Sequence, residues 1–255
     1  MAPPADWTQW IRADYHGAPF VTFGTRHLWA LAVLVAFGAF LLRFRGAPET
    51  TRHRVRYALA AALVVNELAW HVWAYHYVGW TLDKMLPLHL CSALVWVGAY
   101  GLVTLDPLVY EFMYFMGIAG PLQAVLTPDA AQYGLPHFRA VQTLASHGML
   151  IIAALYLTRV EGLRPTVQSV RRVVVGTLVY MALVTVVNVA LGSNYMWTLG
   201  KPATGSLLDV LGPWPWYLVP MIGLGVLNVL LLYAPFWWAD RRQEAAAATG
   251  DAMAP

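Results

Sequence analysis

Long apolar stretches follow one another along the chain, separated by short polar connections. Seven of them lie near residues 26–44, 55–78, 83–103, 110–127, 139–159, 173–192 and 214–236. Each approaches the ~20 residues that a helix, rising about 1.5 Å per residue, needs to cross the hydrocarbon core of a bilayer. They show no period-two alternation, which argues against a membrane β-barrel. The pattern predicts an all-α polytopic membrane protein, a bundle of seven transmembrane helices.

The ends of the chain complete this domain picture. We expect one membrane domain over residues 1–240 and a polar, disordered tail over residues 241–255. The polar, tryptophan-containing stretch before the first apolar segment does not resemble a cleavable signal peptide. No repeat of fixed period indicates a second unit.

Composition agrees with a surface that faces lipid. Of 255 residues, 59% are hydrophobic and 11% are charged, whereas a soluble domain carries roughly 25% charged residues. The single cysteine excludes an intrachain disulfide and any site built from several cysteines. The net charge of +3 is too small and too dispersed to indicate a nucleic-acid partner. We expect membrane phospholipids as partners and no cofactor, and the sequence leaves the oligomeric state open.

Arginine is concentrated in three regions, and their positions predict an orientation. Residues 43–56 contain five arginines, residues 158–172 contain four, and Arg241 and Arg242 begin the tail, while the other side holds five basic residues. The three regions share one side only if the number of spans is odd. The positive-inside rule places that side in the cytoplasm. We therefore expect a multi-pass protein of the cytoplasmic membrane, with its N-terminus outside and its C-terminus in the cytoplasm.

This orientation gathers polar residues of several spans in the outer half of the bundle. Such residues are costly in lipid and should face the bundle interior or a water-filled cavity. We therefore expect an outward-opening polar pocket. Its candidate catalytic residues are Cys91, His147, His71 and Glu67, and its candidate substrate-binding residues are His89, Asn188, Asn194, Tyr195, Lys201, Asp209 and Gln123.

Cys91 is the candidate nucleophile. Pro87 lacks an N–H and should loosen the start of the third span, which frees backbone amides that could stabilise an anion. His89 lies two residues from Cys91, roughly 200° around a helix, and should point away from the thiol. His147 or His71, on other spans, is the better candidate for the base that forms the thiolate. The opposing interpretation is an inert buried thiol, the usual state of a lone cysteine.

Two further groups have both a chemical and a structural interpretation. Glu67 and His71 are spaced i,i+4 on one helix face, so Glu67 could orient His71 or form a structural ion pair with it. Lys201, followed by Pro202, is a cation at the predicted outer rim, where a lipid phosphate or carboxylate would lie. Its segment could equally be a structural lid over the pocket.

Two segments resemble a known family. MLPLHLCS at residues 85–92 and GSNYMWTLGKPATGSLLDVLGPWPWYL at residues 192–218 are similar to hallmarks of the YwaF-type integral membrane proteins. An animal relative in this broader family is similar to an acyltransferase that moves acyl chains between phospholipids, with a cysteine as acyl carrier and a histidine as partner. The resemblance implies that Cys91 is the carrier and His147 the partner.

Three functions are open on this basis. The first is an intramembrane lipid acyltransferase or thioester-forming lipase that uses Cys91 and a histidine base. The second is a small-molecule or lipid transporter or receptor with the polar layer as its binding site. The third is a zinc-dependent hydrolase in which His71, His89 and His147 bind the metal and Glu67 is the base.

Overall fold

The computed structural model describes residues 7–128, 132–202 and 207–251. Within them the chain forms seven α-helices, with three short 3-10 turns and no strand, which confirms the prediction of an all-helical protein. The helices are α1 (Thr25–Leu42), α2 (Glu49–Tyr77), α3 (Leu90–Thr104), α4 (Pro107–Leu126), α5 (Phe138–Arg159), α6 (Val167–Leu191) and α7 (Leu218–Asp251).

Successive helices alternate in direction, and hydrogen bonds between their ends show it. His27 at the start of α1 bonds the Val125 carbonyl at the end of α4, with 2.9 Å between Nε2 and O. At the opposite end, Arg56 near the start of α2 donates to the Leu102 carbonyl near the end of α3. We call the end at which α1, α3, α5 and α7 begin the cysteine end, since Cys91 lies there, and the other the arginine end.

The helices differ sharply in how much of their surface they bury. In the most apolar stretch of α5, 67% of the residues are buried inside the protein, compared with 11% in α1, 17% in α6 and 6% in α7. Helix α5 is therefore the centre of the bundle, and α1, α6 and α7 present their apolar side chains outward. These four helices are long and apolar enough to cross a membrane, which supports a membrane location.

Helix α3 begins later than the apolar pattern predicts. The expected span covers residues 83–103, but the helix starts at Leu90, and residues 82–89 form turns. Pro87 cannot support an α-helical hydrogen bond, and the turn is held instead by Tyr195, whose hydroxyl accepts from the Leu86 amide at 2.9 Å and donates to the Leu82 carbonyl. With 15 residues, α3 is only about 22 Å long.

Other helix boundaries shift for local reasons. Helix α6 begins at Val167 because Thr166 and Ser169 form a capping box there. Helix α7 begins at Leu218, after a turn that contains Pro213 and Pro215, and it continues to Asp251. The structure thus places most of the tail, expected to be disordered, in a helix, because its Gln, Glu and Ala residues are strong helix formers. Residues 252–255 lie outside the described range.

Candidate functional site

Cys91 lies in the first turn of α3 and is partly buried. Its sulfur faces α4, where a Cβ added to Gly120 would lie 3.7 Å from Sγ. Glu67 of α2 is the charged side chain that interacts electrostatically with the thiol. His89, the residue before α3, has an extended backbone, and its side chain does not cap the helix. The first amides of α3 therefore receive no side-chain acceptor from the capping position.

Glu67 and His71 face each other on α2, with 3.8 Å between Glu67 Oε1 and His71 Nε2. Ser92, next to the cysteine, lies beside the carboxyl group of Glu67. On the other side of the imidazole, the Trp80 indole donates to His71 Nδ1 at 3.2 Å. Since Nδ1 accepts this bond, a neutral His71 carries its proton on Nε2, toward Glu67.

His147 has the opposite tautomer. Its Nδ1 lies 2.8 Å from the Thr143 carbonyl oxygen, one turn earlier in α5. A carbonyl only accepts, so Nδ1 carries the proton and Nε2 holds the lone pair of a neutral imidazole. No hydrogen bond or ion pair joins His147 to Cys91 in the part of the chain that the structure describes.

Helix register nevertheless places His147 level with the thiol. A Cβ on Gly117 of α4 would lie 3.7 Å from the Leu150 carbonyl oxygen of α5. Helices α4 and α5 run antiparallel, so moving three residues forward in α4 reaches the same depth as moving three residues backward in α5. Gly120, three residues after Gly117, is therefore level with His147, three residues before Leu150. The sulfur of Cys91 contacts the Gly120 position, so Cys91 and His147 lie at the same depth.

Glu67 lies nearer the cysteine end than His147. The neighbouring Asn66 donates to the Gln142 carbonyl of α5 at 3.4 Å. Gln142 precedes His147 by five residues, which corresponds to about 7 Å along a helix. The backbone of Glu67 therefore lies about 7 Å nearer the cysteine end than that of His147. Because helix side chains lean toward the N-terminus of their helix, the carboxyl group of Glu67 points back toward the level of Cys91.

Arg139 supplies a cation beside these groups. Its guanidinium lies 3.8 Å from the centre of the Trp70 ring and donates to the Gln142 side chain. It interacts electrostatically with both Glu67 and His147. Arg139 therefore balances negative charge that is present or develops near Glu67.

Most of the expected substrate-binding residues lie at the end of α6 or in the segment after it, and His89 packs against that segment. His89 accepts from the Met196 amide at 3.3 Å and packs on the rings of Tyr195 and Trp197. Met196 and Trp197 have positive φ values of 56° and 52°, a backbone region that side chains of this size rarely occupy.

Most polar atoms of this segment bond within it. Asn188 donates to the Tyr195 carbonyl and the Thr198 hydroxyl and accepts from Ser193 and the Tyr195 amide. Asn194 donates to the Gly200 carbonyl and accepts from the Leu199 amide. These two side chains, both expected to bind substrate, instead form hydrogen bonds that stabilise the turn. That turn holds the segment before Cys91 through Tyr195.

Lys201 and Asp209 lie together in the segment after α6, and Gln123 lies on α4. Lys201 Nζ is 4.0 Å from an Asp209 carboxylate oxygen and 5.8 Å from the centre of the Tyr217 ring. Gln123 is exposed near the end of α4. The structure therefore joins Cys91, Glu67 and His71 in one group, and Lys201 and Asp209 in another.

The segment before α1 covers part of the cysteine end. We call residues 7–24 the strap. Backbone carbonyls of the strap accept three bonds: Trp73 to Ile11, His137 to Arg12 and Tyr133 to Ala13. A cleft of about 510 Å³ opens beside it. A second cleft, of about 330 Å³, is lined by His71, Val72, Tyr75, His76 and Trp80, so it exposes the imidazole that pairs with Glu67.

The ligands of the hypothetical zinc site do not come together. His71 bonds Trp80, His89 bonds the turn after α6, and His147 bonds its own helix. Among the residues that the structure describes, no group of three His, Cys, Asp or Glu side chains is arranged to hold a metal ion. The zinc hypothesis thus lacks a ligand set.

Three members of the site escaped the sequence analysis: Ser92, Trp80 and Arg139. Ser92 is adjacent to the motif cysteine, and Trp80 follows α2 in a turn that the apolar pattern leaves unassigned. Arg139, at the start of α5, was counted only as an outer basic residue. Its position within the first turn of a span that contains a histidine was the available signal.

Comparison with known proteins places the chain in a family. The model of the TMEM164 family matches residues 22–233, a range that contains every candidate site residue. An uncharacterized protein of Treponema pallidum (strain Nichols) is 26% identical over 222 residues, which cover 85% of this chain and 90% of that protein. No solved structure matches. The family match extends over most of the chain, which therefore belongs to the TMEM164 family.

Proposed function

We propose that the protein is an intramembrane acyltransferase, or thioester-forming lipase, that carries a lipid acyl chain on Cys91. One observation carries the proposal: the sole cysteine lies at the start of α3, beside Glu67 and level with His147. The resemblance of the MLPLHLCS segment to YwaF-type proteins supports the same assignment. Transport or reception by the polar layer is the competing function.

The tautomers of the two histidines favour His147 as the base for Cys91. Its Nε2 holds a lone pair, while both nitrogens of His71 are engaged, by Trp80 and toward Glu67. A general base must reach the proton that it removes, and such contacts are often long before substrate binds.

The chemistry consists of two transfers. His147 takes the thiol proton, the sulfur attacks an ester carbonyl of a phospholipid, and the ester C–O bond breaks as the proton passes to the departing hydroxyl. The uncapped first-turn amides of α3 are donors suited to the oxyanion. A lipid hydroxyl or water then attacks the thioester and restores the thiol.

Seven spans would put this site within reach of the outer leaflet. In that topology, the N-terminus is outside, the C-terminus is in the cytoplasm, and the Arg-rich connections lie on the cytoplasmic side of the cell membrane. The alternating helix directions and the four long apolar helices support it. Labelling of single cysteines introduced before α1 and after α7, in a Cys91→Ala background, tests it: only the first should react with an impermeant reagent added to intact cells.

The decisive test is the intact mass of purified protein incubated with phospholipid vesicles. We expect an increase by one acyl chain in the wild type, no increase in Cys91→Ala, and at least a hundredfold slower increase in His147→Ala. His89→Ala is the matched control, since it removes an imidazole of the same level that faces the turn after α6. Absence of the adduct from the wild type, or lipid transport by Cys91→Ala, would refute the acyl-transfer function.

A further inference from the structure

The carboxyl group of Glu67 is buried but incompletely bonded. Glu67 is 3% exposed, and its Oε1 has no hydrogen-bond donor among the residues that the structure describes. Two other buried charged atoms without a hydrogen bond, Arg56 Nε and Glu161 Oε1, face each other at 3.3 Å. Glu67 Oε1 lies 3.8 Å from His71 Nε2, too far for a hydrogen bond. A buried acceptor in this state is costly unless a ligand supplies the donor.

Access and position suggest what that donor is. The cleft of about 330 Å³ ends at His71, the partner of Glu67. Glu67 is also the charged group next to the thiol, and its neighbour Ser92 follows Cys91 directly. A molecule in this cleft contacts the imidazole that pairs with Glu67, and Glu67 is in turn the charged group that interacts with Cys91.

We infer that Glu67 is the general base of the second half-reaction and binds the hydroxyl group that accepts the acyl chain. This inference rests on the proposed function and adds a residue and a ligand chemistry to it. The site has two bases: His147 serves acylation of Cys91, and Glu67, beside His71 and Ser92, serves release of the acyl chain.

Electrostatic repulsion explains why Glu67 acts on the thioester and not on the thiol. A carboxylate beside Cys91 opposes a thiolate, because two like charges repel in a medium of low dielectric constant. Once the sulfur is a thioester it is neutral, and the carboxylate is then unopposed. Arg139 interacts with Glu67 and supplies the compensating positive charge.

The step balances without any further reactant. The acceptor hydroxyl donates its hydrogen bond to Glu67 Oε1, and its oxygen attacks the thioester carbonyl. A C–O bond forms, the C–S bond breaks, and the hydroxyl proton passes to Glu67. The departing thiolate takes that proton from Glu67, which restores both the thiol and the carboxylate. The hydroxyl can belong to a lipid alcohol or to water, since both present the same O–H group.

The test separates formation of the adduct from its decay. Full-length protein is acylated with phospholipid vesicles, and the loss of adduct mass is followed with added lysophospholipid or with buffer alone. We expect Glu67→Gln to form the adduct within a few-fold of the wild-type rate but to lose it at least a hundredfold more slowly. Slower loss only with lysophospholipid identifies a lipid alcohol, and slower loss in both arms identifies water as well.

Glu111→Gln is the matched control, because it makes the same change at a buried glutamate at the arginine end. Adduct formation by Glu67→Gln itself shows that the variant is folded. Wild-type decay in Glu67→Gln, or failure of that variant to form the adduct while Glu111→Gln succeeds, would overturn the assignment of Glu67. Absence of the adduct from the wild type would overturn the proposed function and this inference together.

Discussion

Glu67 and Glu111 are both almost completely buried, at opposite ends of the bundle. Glu111 accepts from the Ser169 hydroxyl at 2.7 Å and from two nitrogens of Arg172. Glu67 lies beside Ser92 and leaves Oε1 without a donor in the described chain. A buried charge whose partners are all supplied by the protein holds helices together, here α4 to α6. A buried charge that lacks a hydrogen-bond partner destabilises the fold, and such groups are found mostly at functional sites.

The strongest test of this contrast is the stability of the two glutamate variants. Glu111→Ala should lower the free energy of unfolding by about 1–3 kcal/mol, because it leaves Ser169 and Arg172 without their acceptor. Glu67→Gln should change it by less than about 1 kcal/mol. Thermal unfolding in the same detergent measures both, and an equal loss in the two variants would erase the distinction.

Asn188 extends the comparison to the turn after α6. Its side chain makes four hydrogen bonds in a fully buried position, so we expect it to behave like Glu111. Asn188→Ala should cost about 1–3 kcal/mol of stability, with any loss of adduct formation recovered at lower temperature. Asn228→Ala, which removes an exposed bond to the Leu224 carbonyl, is the control. Persistent loss of chemistry in a stable Asn188→Ala protein would instead indicate contact with substrate.

A substitution of Trp80 tests the role of the Glu67–His71 pair in catalysis. Trp80→Phe removes the N–H that holds the His71 tautomer, a bond of about 1 kcal/mol, which corresponds to roughly a fivefold change in rate. We expect adduct decay to slow by about that factor, with adduct formation unchanged. Trp29→Phe, at an exposed position on α1, serves as the control. A larger effect on formation than on decay would place His71 in the first half-reaction.

The smallest expected effect concerns the strap. Burial lowers the pKa of His137, and Arg139 nearby lowers it further. A histidine with a lowered pKa in the folded state stabilises it fully above the unfolded value of about 6.5, and this contribution is lost as the pH falls below that value. Protease cleavage in residues 7–24 should therefore accelerate as the pH falls below about 6.5. His137→Asn should abolish the pH dependence, and the exposed His53→Asn should preserve it.

The sequence predicted the helices better than it predicted their contacts. Apolar runs of membrane length located all seven helices, because burial in lipid or core requires such runs. Pro87 indicated a disturbed start of α3, but the true start at Leu90 depends on the Tyr195 hydroxyl, 109 residues from Leu86 in sequence. A pattern that reads only neighbouring residues cannot register such a contact.

The candidate site was recovered in part for the same reason. Glu67 and His71 are linked by spacing along one helix, and the structure pairs them. Asn188 and Asn194 were expected to face substrate because polar residues near a membrane are conspicuous. Most of their partners are backbone groups of the residues that follow, and every sequence contains such groups.

The strap carries a consequence for sequence variation within the family. Trp73, Tyr133 and His137 bind the carbonyl oxygens of residues 11–13, and Tyr133 and His137 also pack on the Tyr15 ring. Every amino acid has that oxygen, so these hydrogen bonds do not depend on which side chain is present. We expect the amino acids at residues 11–13 to vary among relatives, while Trp73, Tyr133 and His137 are conserved. Alignments that score identity would then rate the strap as expendable even where its path over the site is preserved.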